Sequence, residues 1–442
     1  MKTADLTQLL KLIYRRRPVS RTVLAQELDL SAGYISMVVQ ELIEKKILIQ
    51  EGYADSQGGR RQAHLHPNPE LAHLIGIDFG TANLRVVTTD FLGQALSFDK
   101  MLGATAKGKD YCLETACDLI KRRCARDSKI KAVGIAHSGV IDCKDGEVLF
   151  WPKVRGWEKV PLKKVIEQQT GLISVVEDSS RAMALAEWQF GQAKGSSEWV
   201  HVSLGMGIGS AIFTGGRLCY GQKGLAGELG HITINELGEL CSCGNRGCLE
   251  TLASGSAIIE SIRNGLRRGA TSSLAPFEDQ LTIEVIADAA KAGDRLSNNV
   301  FFEAGSHLGT ALADIVNLLN PEKIILGGSV ARTAKELIMA PLMASLRQRA
   351  FHHSSSDLQV LFSELAEDAA AVGACLLAAE KMIEASLSSG VDRGRESRLV
   401  QSPLPPNQTD GFPSSDSLAG GSLAQNGELE HGQLHGRTTL AK

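Results

Sequence analysis

The 442-residue chain is poor in aromatic residues, at 5%, and has no strong excess of either charge: 47 Lys and Arg stand against 50 Asp and Glu, for a formal net charge of -3. That balance excludes a protein that binds nucleic acid along its whole length, so any basic surface must be local. Scarce aromatics beside 45 glycines suit turn-rich α/β domains better than an aromatic-rich all-β binder. Nine cysteines in so long a chain do not make a disulfide scaffold. No run of about 18 uncharged apolar residues occurs, the minimum for a membrane-spanning helix. The apolar stretch in MKTADLTQLLKLIYRRR is too short and too interrupted for a signal peptide. The expectation is a soluble, cytoplasmic protein with no membrane partner, and 43% hydrophobic residues suffice for two or three domains.

The basic charge is concentrated at the amino terminus, where residues 1–66 hold ten Lys or Arg against seven Asp or Glu. Leu6, Leu9, Leu10 and Ile13 share one helical face, and Pro18 ends that helix. Ser20 can cap a second helix carrying Val23, Leu24 and Leu28, and Ser31 a third. In the third, Ile35, Val38, Val39, Leu42 and Ile43 form one inward stripe, which turns Tyr34, Ser36, Met37 and Gln40 outward. Ile47-Leu48-Ile49 then reads as a strand, EGYADSQGG as a turn and RRQAHLH as a returning strand. Three helices and a hairpin describe a winged helix-turn-helix over 1–66. Ser31, Tyr34, Ser36, Met37 and Gln40 would face the major groove of double-stranded DNA, with Arg60 and Arg61 on the wing meeting phosphate or minor groove.

HPNPE breaks the periodicity, so 67–73 is expected as a linker. Strands and helices then interleave over 74–385, an α/β body. From 386 to 442 the chain is rich in Ser, Gly, Pro and Gln with apolar residues scattered singly, the composition of a disordered tail.

Within the body, His231 precedes Cys241, Cys243 and Cys248; one imidazole and three thiolates make a closed tetrahedral set for structural Zn2+, with no open position for activating water. The other six cysteines are scattered and read as core fillers. Two glycine turns follow apolar strands: Asp78-Phe79-Gly80-Thr81, and Gly205-Met206-Gly207-Ile208-Gly209. Each, taken alone, is more often a tight turn than a phosphate cradle.

Together with AGELGH, CSCGNRGCLE and ILGGSV, these turns resemble the ROK family (repressors, open reading frames and kinases), over residues from about 1 to 385. The resemblance implies a two-lobed, actin-like ATPase fold of the sugar-kinase type behind the winged helix, with sugar bound in the cleft and assembly as a homodimer or homotetramer. By the same resemblance, Glu228, His231 and Glu250 match positions that contact sugar hydroxyls, and Gly139 a sugar-side loop. Asp78, Gly80, Gly205, Gly207 and Gly209 fall in the nucleotide-phosphate turns, and Gly327 and Gly328 match glycines against adenosine. Asp178 matches the general base of family kinases.

Departures from the family pattern are as informative. Ala82 stands where a phosphate-contacting Thr is expected, Thr81 replaces a Gly, and Met206 replaces another Thr, losses that count against binding of ATP and Mg2+. Glu177 replaces a sugar-bonding Asn, and VRGW lacks the Asn that kinases place before the tryptophan. Asp178 is then a ligand contact, a cap for the following helix, or a catalytic base. The expected function is a sequence-specific transcription regulator of carbohydrate genes, a repressor first, controlled by a sugar or sugar phosphate in the cleft. The competing expectation is an ATP-dependent kinase of hexoses or N-acetylhexosamines that carries a DNA-binding domain.

Overall fold

The protein is described by a computed structural model covering residues 3–53, 63–152 and 154–396. One compact unit runs to Arg393, and beyond it only 394–396, the last residues of the final helix, are described.

The amphipathic spacing gives three helices, α1 (Thr3–Arg16), α2 (Arg21–Leu28) and α3 (Ala32–Glu44). Ser20 and Ser31 cap the second and third: their hydroxyls accept from the backbone N–H of Val23 at 3.4 Å and of Tyr34 at 3.2 Å. Each cap satisfies an amide that a first turn leaves without a helical partner. Leu9, Ile13, Leu24, Ile35, Val38, Val39 and Leu42 close a core against Leu48 and Leu65 of an antiparallel hairpin, β1 (Leu48–Tyr53) and β2 (Ala63–Pro67). Ser31 at the cap and Ser36, Met37 and Gln40 on α3 are exposed, whereas the Tyr34 ring packs partly into this core. Residues 54–62, with Arg60 and Arg61, lie outside the described residues.

The segment expected as a linker is bonded on both sides. Asn68 donates from its backbone to Ile47 O at 2.9 Å and from its side chain to Lys46 O at 2.8 Å, while Phe91 N donates to Pro69 O at 3.1 Å. Pro67 and Pro69 fix the local backbone and Ala72 is fully buried, so the segment is a strap and not a loose tether.

The first large sheet uses β3 (His73–Phe79), β4 (Asn83–Thr89) and β5 (Ala95–Leu102), then α4 (Lys109–Arg126) and β6 (Ile130–His137). A small antiparallel sheet follows, β7 (Val140–Asp142), β8 (Glu147–Phe150) and β9 (Glu158–Val160). α5 (Leu162–Thr170), β10 (Ile173–Asp178) and α6 (Ser179–Phe190) complete the half, with sheet order β10-β6-β3-β4-β5. β10, β6 and β3 run parallel, and the apolar residues of β3 and β6 are buried, as strands covered on both faces require.

The second large sheet has order β13-β12-β11-β14-β15. Its first strands are β11 (Trp199–Leu204), β12 (Ile208–Thr214) and β13 (Arg217–Leu218). Helices α7 (Leu249–Ala253), α8 (Gly255–Arg267), α9 (Ile283–Lys291) and α10 (Arg295–Leu319) come next. β14 (Lys323–Gly327), α11 (Ser329–Arg349), α12 (His352–Ser355) and β15 (Gln359–Phe362) close this half.

The final helix, α13 (Ala369–Glu396), returns to the first sheet. It packs so tightly that a Cβ on Gly76 would lie 2.0 Å from Ala371 O, and one on Gly134 1.9 Å from Ala374 O. Farther along, α13 meets α1: Arg15 grips Glu380 through two bonds of 2.5 and 2.7 Å, and Lys11 pairs with Glu384. Tyr14 is buried edge-on against Phe91, whose carbonyl accepts its hydroxyl at 3.1 Å, and Arg17 donates to Leu92 O at 2.7 Å. The helix also corrects the expected start of the tail at 386, because it continues to Glu396. Ser386–Glu396 contains no proline, and the helix runs through Gly390 and Gly394. Residues 397–442 lie outside the described residues.

Candidate functional site

A cavity of about 570 Å³ opens where parallel strands of both sheets end. β3, β6, β10, β11 and β14 stop at Phe79, His137, Asp178, Leu204 and Gly327, and the residues that follow each end line the wall. Ligands of open α/β folds bind outside carboxyl ends of strands for this reason: the chain turns there and presents backbone and side chains to a crevice. Asp78, Gly80, Gly139, Asp178, Gly205, Gly207, Gly209, Glu228, His231, Glu250 and Gly328 all reach this cavity. Two of the expected residues do not. Gly327 is buried at its strand end against His201, and Glu177 points into a buried ion pair.

Asp178 takes the capping role its sequence position allowed and also faces the cavity. One carboxylate oxygen caps α6, accepting from Ser180 N at 2.9 Å and Arg181 N at 3.0 Å, while the side chain lines the cavity. Burial pushes its pKa up to about 6; Arg181 opposes the shift, and Glu177 and Glu228 add to it. Glu228 shares the cavity wall with Asp178, and Glu250 anchors the second glycine turn by accepting from Ile208 N at 2.9 Å. These carboxylates, with His231, are acceptors suited to the paired hydroxyls of a sugar.

Gly139 is held by a neutral imidazole. Its N–H donates to His137 Nδ1 at 2.9 Å, and the ring is packed among Phe79, Trp151 and Trp157. Burial pushes His137 down to about 3, which keeps Nδ1 an acceptor at any physiological pH.

Sequence reasoning passed over two arginines that redefine the site. Arg181 is buried and donates to Glu177 at 2.7 Å and to Cys143 Sγ at 3.2 Å, which explains why Glu177 is turned away from the cavity. Their i, i+4 spacing was the available signal. Arg85 is the direct cross-strand partner of Asp78 on β4 and donates to Asp78 Oδ2 at 2.9 Å, while Ser179 donates to the other oxygen at 3.2 Å. A Cβ on Gly80 would lie 2.8 Å from Arg85 Nη1, so the glycine makes room for the guanidinium. With Asp78 bonded on both oxygens and Thr81, Ala82 and Met206 on the wall, these residues do not fit a magnesium–nucleotide pair.

The sulfur and nitrogen ligand atoms of His231, Cys241, Cys243 and Cys248 lie within 4.8 Å of one another. Zinc bonds of about 2.3 Å to sulfur and about 2.0 Å to nitrogen imply tetrahedral edges of about 3.8 Å between sulfurs and about 3.5 Å between sulfur and nitrogen. Cys243 Sγ and Cys248 Sγ are 3.8 Å apart, and Cys241 Sγ and His231 Nδ1 are 3.5 Å apart. The set can hold a metal ion. Nδ1 is the nitrogen turned to the thiols, so the other ring nitrogen remains for the cavity that His231 also lines.

Two α/β sheets with a carboxylate-lined cleft at their strand ends define the class of fold that sugar kinases share with a group of transcriptional regulators. Residues 74–381 match the ROK family, and the chain belongs to that family. It is 30% identical to the xylose repressor of Caldicellulosiruptor bescii, across 87% of this chain and 97% of that protein. It is 29% identical to the DNA-binding transcriptional dual regulator NagC of Escherichia coli, across 85% and 92%. Among solved structures, a ROK family transcriptional regulator described as a homolog of the E. coli MLC protein superposes with a TM-score of 0.74 at 29% identity, over 88% of this chain and 99% of the other. A ROK family glucokinase from Streptomyces griseus, in complex with glucose and AMPPNP, gives 0.63 at 32% identity over 70% and 99%.

Proposed function

We propose that the chain is a sugar-responsive transcriptional repressor, in which residues 1–66 form a winged helix-turn-helix for an operator and the cavity binds a sugar or sugar phosphate. The observation that carries the reading is the split character of the cavity. Its sugar side keeps Asp178, Glu228, His231 and Glu250, whereas Asp78 in its phosphate turn is occupied by Arg85. A xylose repressor and a DNA-binding dual regulator among the relatives support the same reading. Phosphoryl transfer depends on charge stabilisation at the phosphates, and here the carboxylate of the phosphate turn, Asp78, is already bonded to Arg85 and Ser179.

The carboxylates bind and orient; no bond is made or broken. Asp178 accepts a sugar hydroxyl on the oxygen that does not cap α6, Glu228 and Glu250 accept others, and His231 is fixed by the cysteine loop. Zinc supplies that loop with a closed tetrahedral anchor, which sets the direction of Glu250 two residues after Cys248.

The signal has a short path to the head. Ala370, at the start of α13, lines the cavity, and the same helix grips α1 through Glu380 and Glu384. Sugar that draws the two sheets together shifts α13 and with it the head. As a homodimer or homotetramer the protein presents paired α3 helices to a palindrome, so a small change of spacing weakens both contacts together. Sugar and DNA must then alter each other's affinity by the same factor.

Thermal shift against a panel of sugars and sugar phosphates tests the cavity, since ligand at 100 times its Kd stabilises by about 2.7 kcal/mol. ADP release with the same panel tests the kinase reading. Sugar-dependent turnover abolished by Asp178→Asn would replace the repressor with a kinase.

A further inference from the structure

The exposed face of α3 carries information about the base pairs it meets. Ala32, Gly33, Ser36, Met37 and Gln40 are exposed along its amino-terminal two-thirds, and Met37 is 61% exposed, high for an apolar side chain beside a well-packed core. The helix contains no Arg or Lys at all. Guanine is read in the major groove chiefly by a bidentate Arg or Lys on O6 and N7, so α3 lacks its usual bidentate reader. Cytosine is read by a carboxylate that accepts from N4, and α3 has two, but both are engaged: Glu41 accepts from Lys45 at 2.5 Å, and Glu44 from Gln40 at 3.1 Å.

The second of these bonds also orients Gln40. Its Nε2 gives one hydrogen to Glu44 Oε1, one helical turn on, which leaves a second N–H and the carbonyl oxygen of an exposed side chain for another partner. Adenine offers the complement, an N7 acceptor beside an N6 donor. Three residues before Gln40 on the same face, the Met37 methyl is available to the thymine C5-methyl, the one apolar mark in the major groove.

From this face we propose that α3 specifies A·T base pairs at the centre of each half-site, with Gln40 reading adenine and Met37 reading a thymine methyl. The inference rests on the DNA-binding reading above. Arg21 and Lys46 lie on flanking elements and supply phosphate attraction, which carries no sequence information.

Selection of binding sites from a random duplex pool by the full chain, followed by fluorescence anisotropy at fixed salt, tests it. The expected half-site is A·T at its centre. Replacing the central thymines by uracil, which removes only the methyls, is expected to weaken binding about three- to fourfold. Met37→Ala abolishes that uracil effect, and Gln40→Ala reduces discrimination for adenine at one position by about tenfold. Both side chains are exposed, so neither substitution disturbs the core. Specific binding to a G·C-centred half-site, or indifference to uracil, overturns this inference and leaves the DNA-binding reading standing. Failure to enrich any duplex overturns both.

Discussion

Replacing Asp178 by Asn separates the two things this residue does. The capping oxygen, which accepts from Ser180 N and Arg181 N, survives as the amide carbonyl, and Asn caps helices about as well as Asp. The other oxygen becomes an NH2 donor, so a sugar hydroxyl that gave its proton to a carboxylate loses its acceptor. A hydrogen bond to a charged group contributes about 1.5–3 kcal/mol, so the effector affinity is expected to fall by about 10- to 150-fold, while the melting temperature barely moves at low pH, where both side chains are neutral. The pH profile sharpens the test. With the pKa raised to about 6, the wild-type carboxylate protonates below that value, and effector affinity falls about tenfold per pH unit lower. In the variant that dependence disappears. The same raised value means that the folded protein holds the proton more tightly than the unfolded chain. Wild-type stability therefore declines as pH rises from the ordinary 3.8 through about 6, and the variant lacks this slope. Isothermal titration at several pH values, paired with thermal melts, reads all three effects. Wild-type affinity and an unaltered pH profile in the variant would refute the assignment of Asp178 to the ligand.

Other perturbations address the remaining parts. Cys241→Ser combined with Cys243→Ser should remove about one zinc per chain by elemental analysis and weaken sugar binding through the Glu250 loop; undiminished metal content contradicts the site. Arg60→Ala with Arg61→Ala should weaken binding to every duplex alike and reduce the slope of log affinity against log salt by about 2, and an unchanged slope removes the wing from the interface. Arg15→Ala breaks a partly exposed pair with Glu380 and should cost no more than about 1 kcal/mol in stability. If α13 carries the signal, the same change, or Tyr14→Phe, reduces the sugar-induced shift in DNA affinity; a full response in both variants excludes this route.

The head was legible in the sequence because local rules decide it: caps at Ser20 and Ser31 and a single apolar stripe on α3 recur in the structure at the same residues. The Cys cluster was legible for a similar reason, since its thiols are close along the chain. What stayed hidden depends on the third dimension. Arg85 meets Asp78 only because the turn between them closes with those two residues in register. Glu177 resembles a sugar contact until Arg181, one turn into α6, draws it inward. The docking of α1 on α13 joins residues more than 360 positions apart, for which no periodicity gives a sign.

The central claim is that a sugar in the cleft alters binding of the head to DNA. Fluorescence anisotropy of the purified full chain on its own upstream region, at fixed salt, with and without a panel of sugars and sugar phosphates, tests it most directly. Specific binding whose Kd one sugar shifts by at least fivefold, a coupling of about 1 kcal/mol, is the predicted result. Binding that no sugar moves, from a protein that the same sugars demonstrably stabilise, would contradict it.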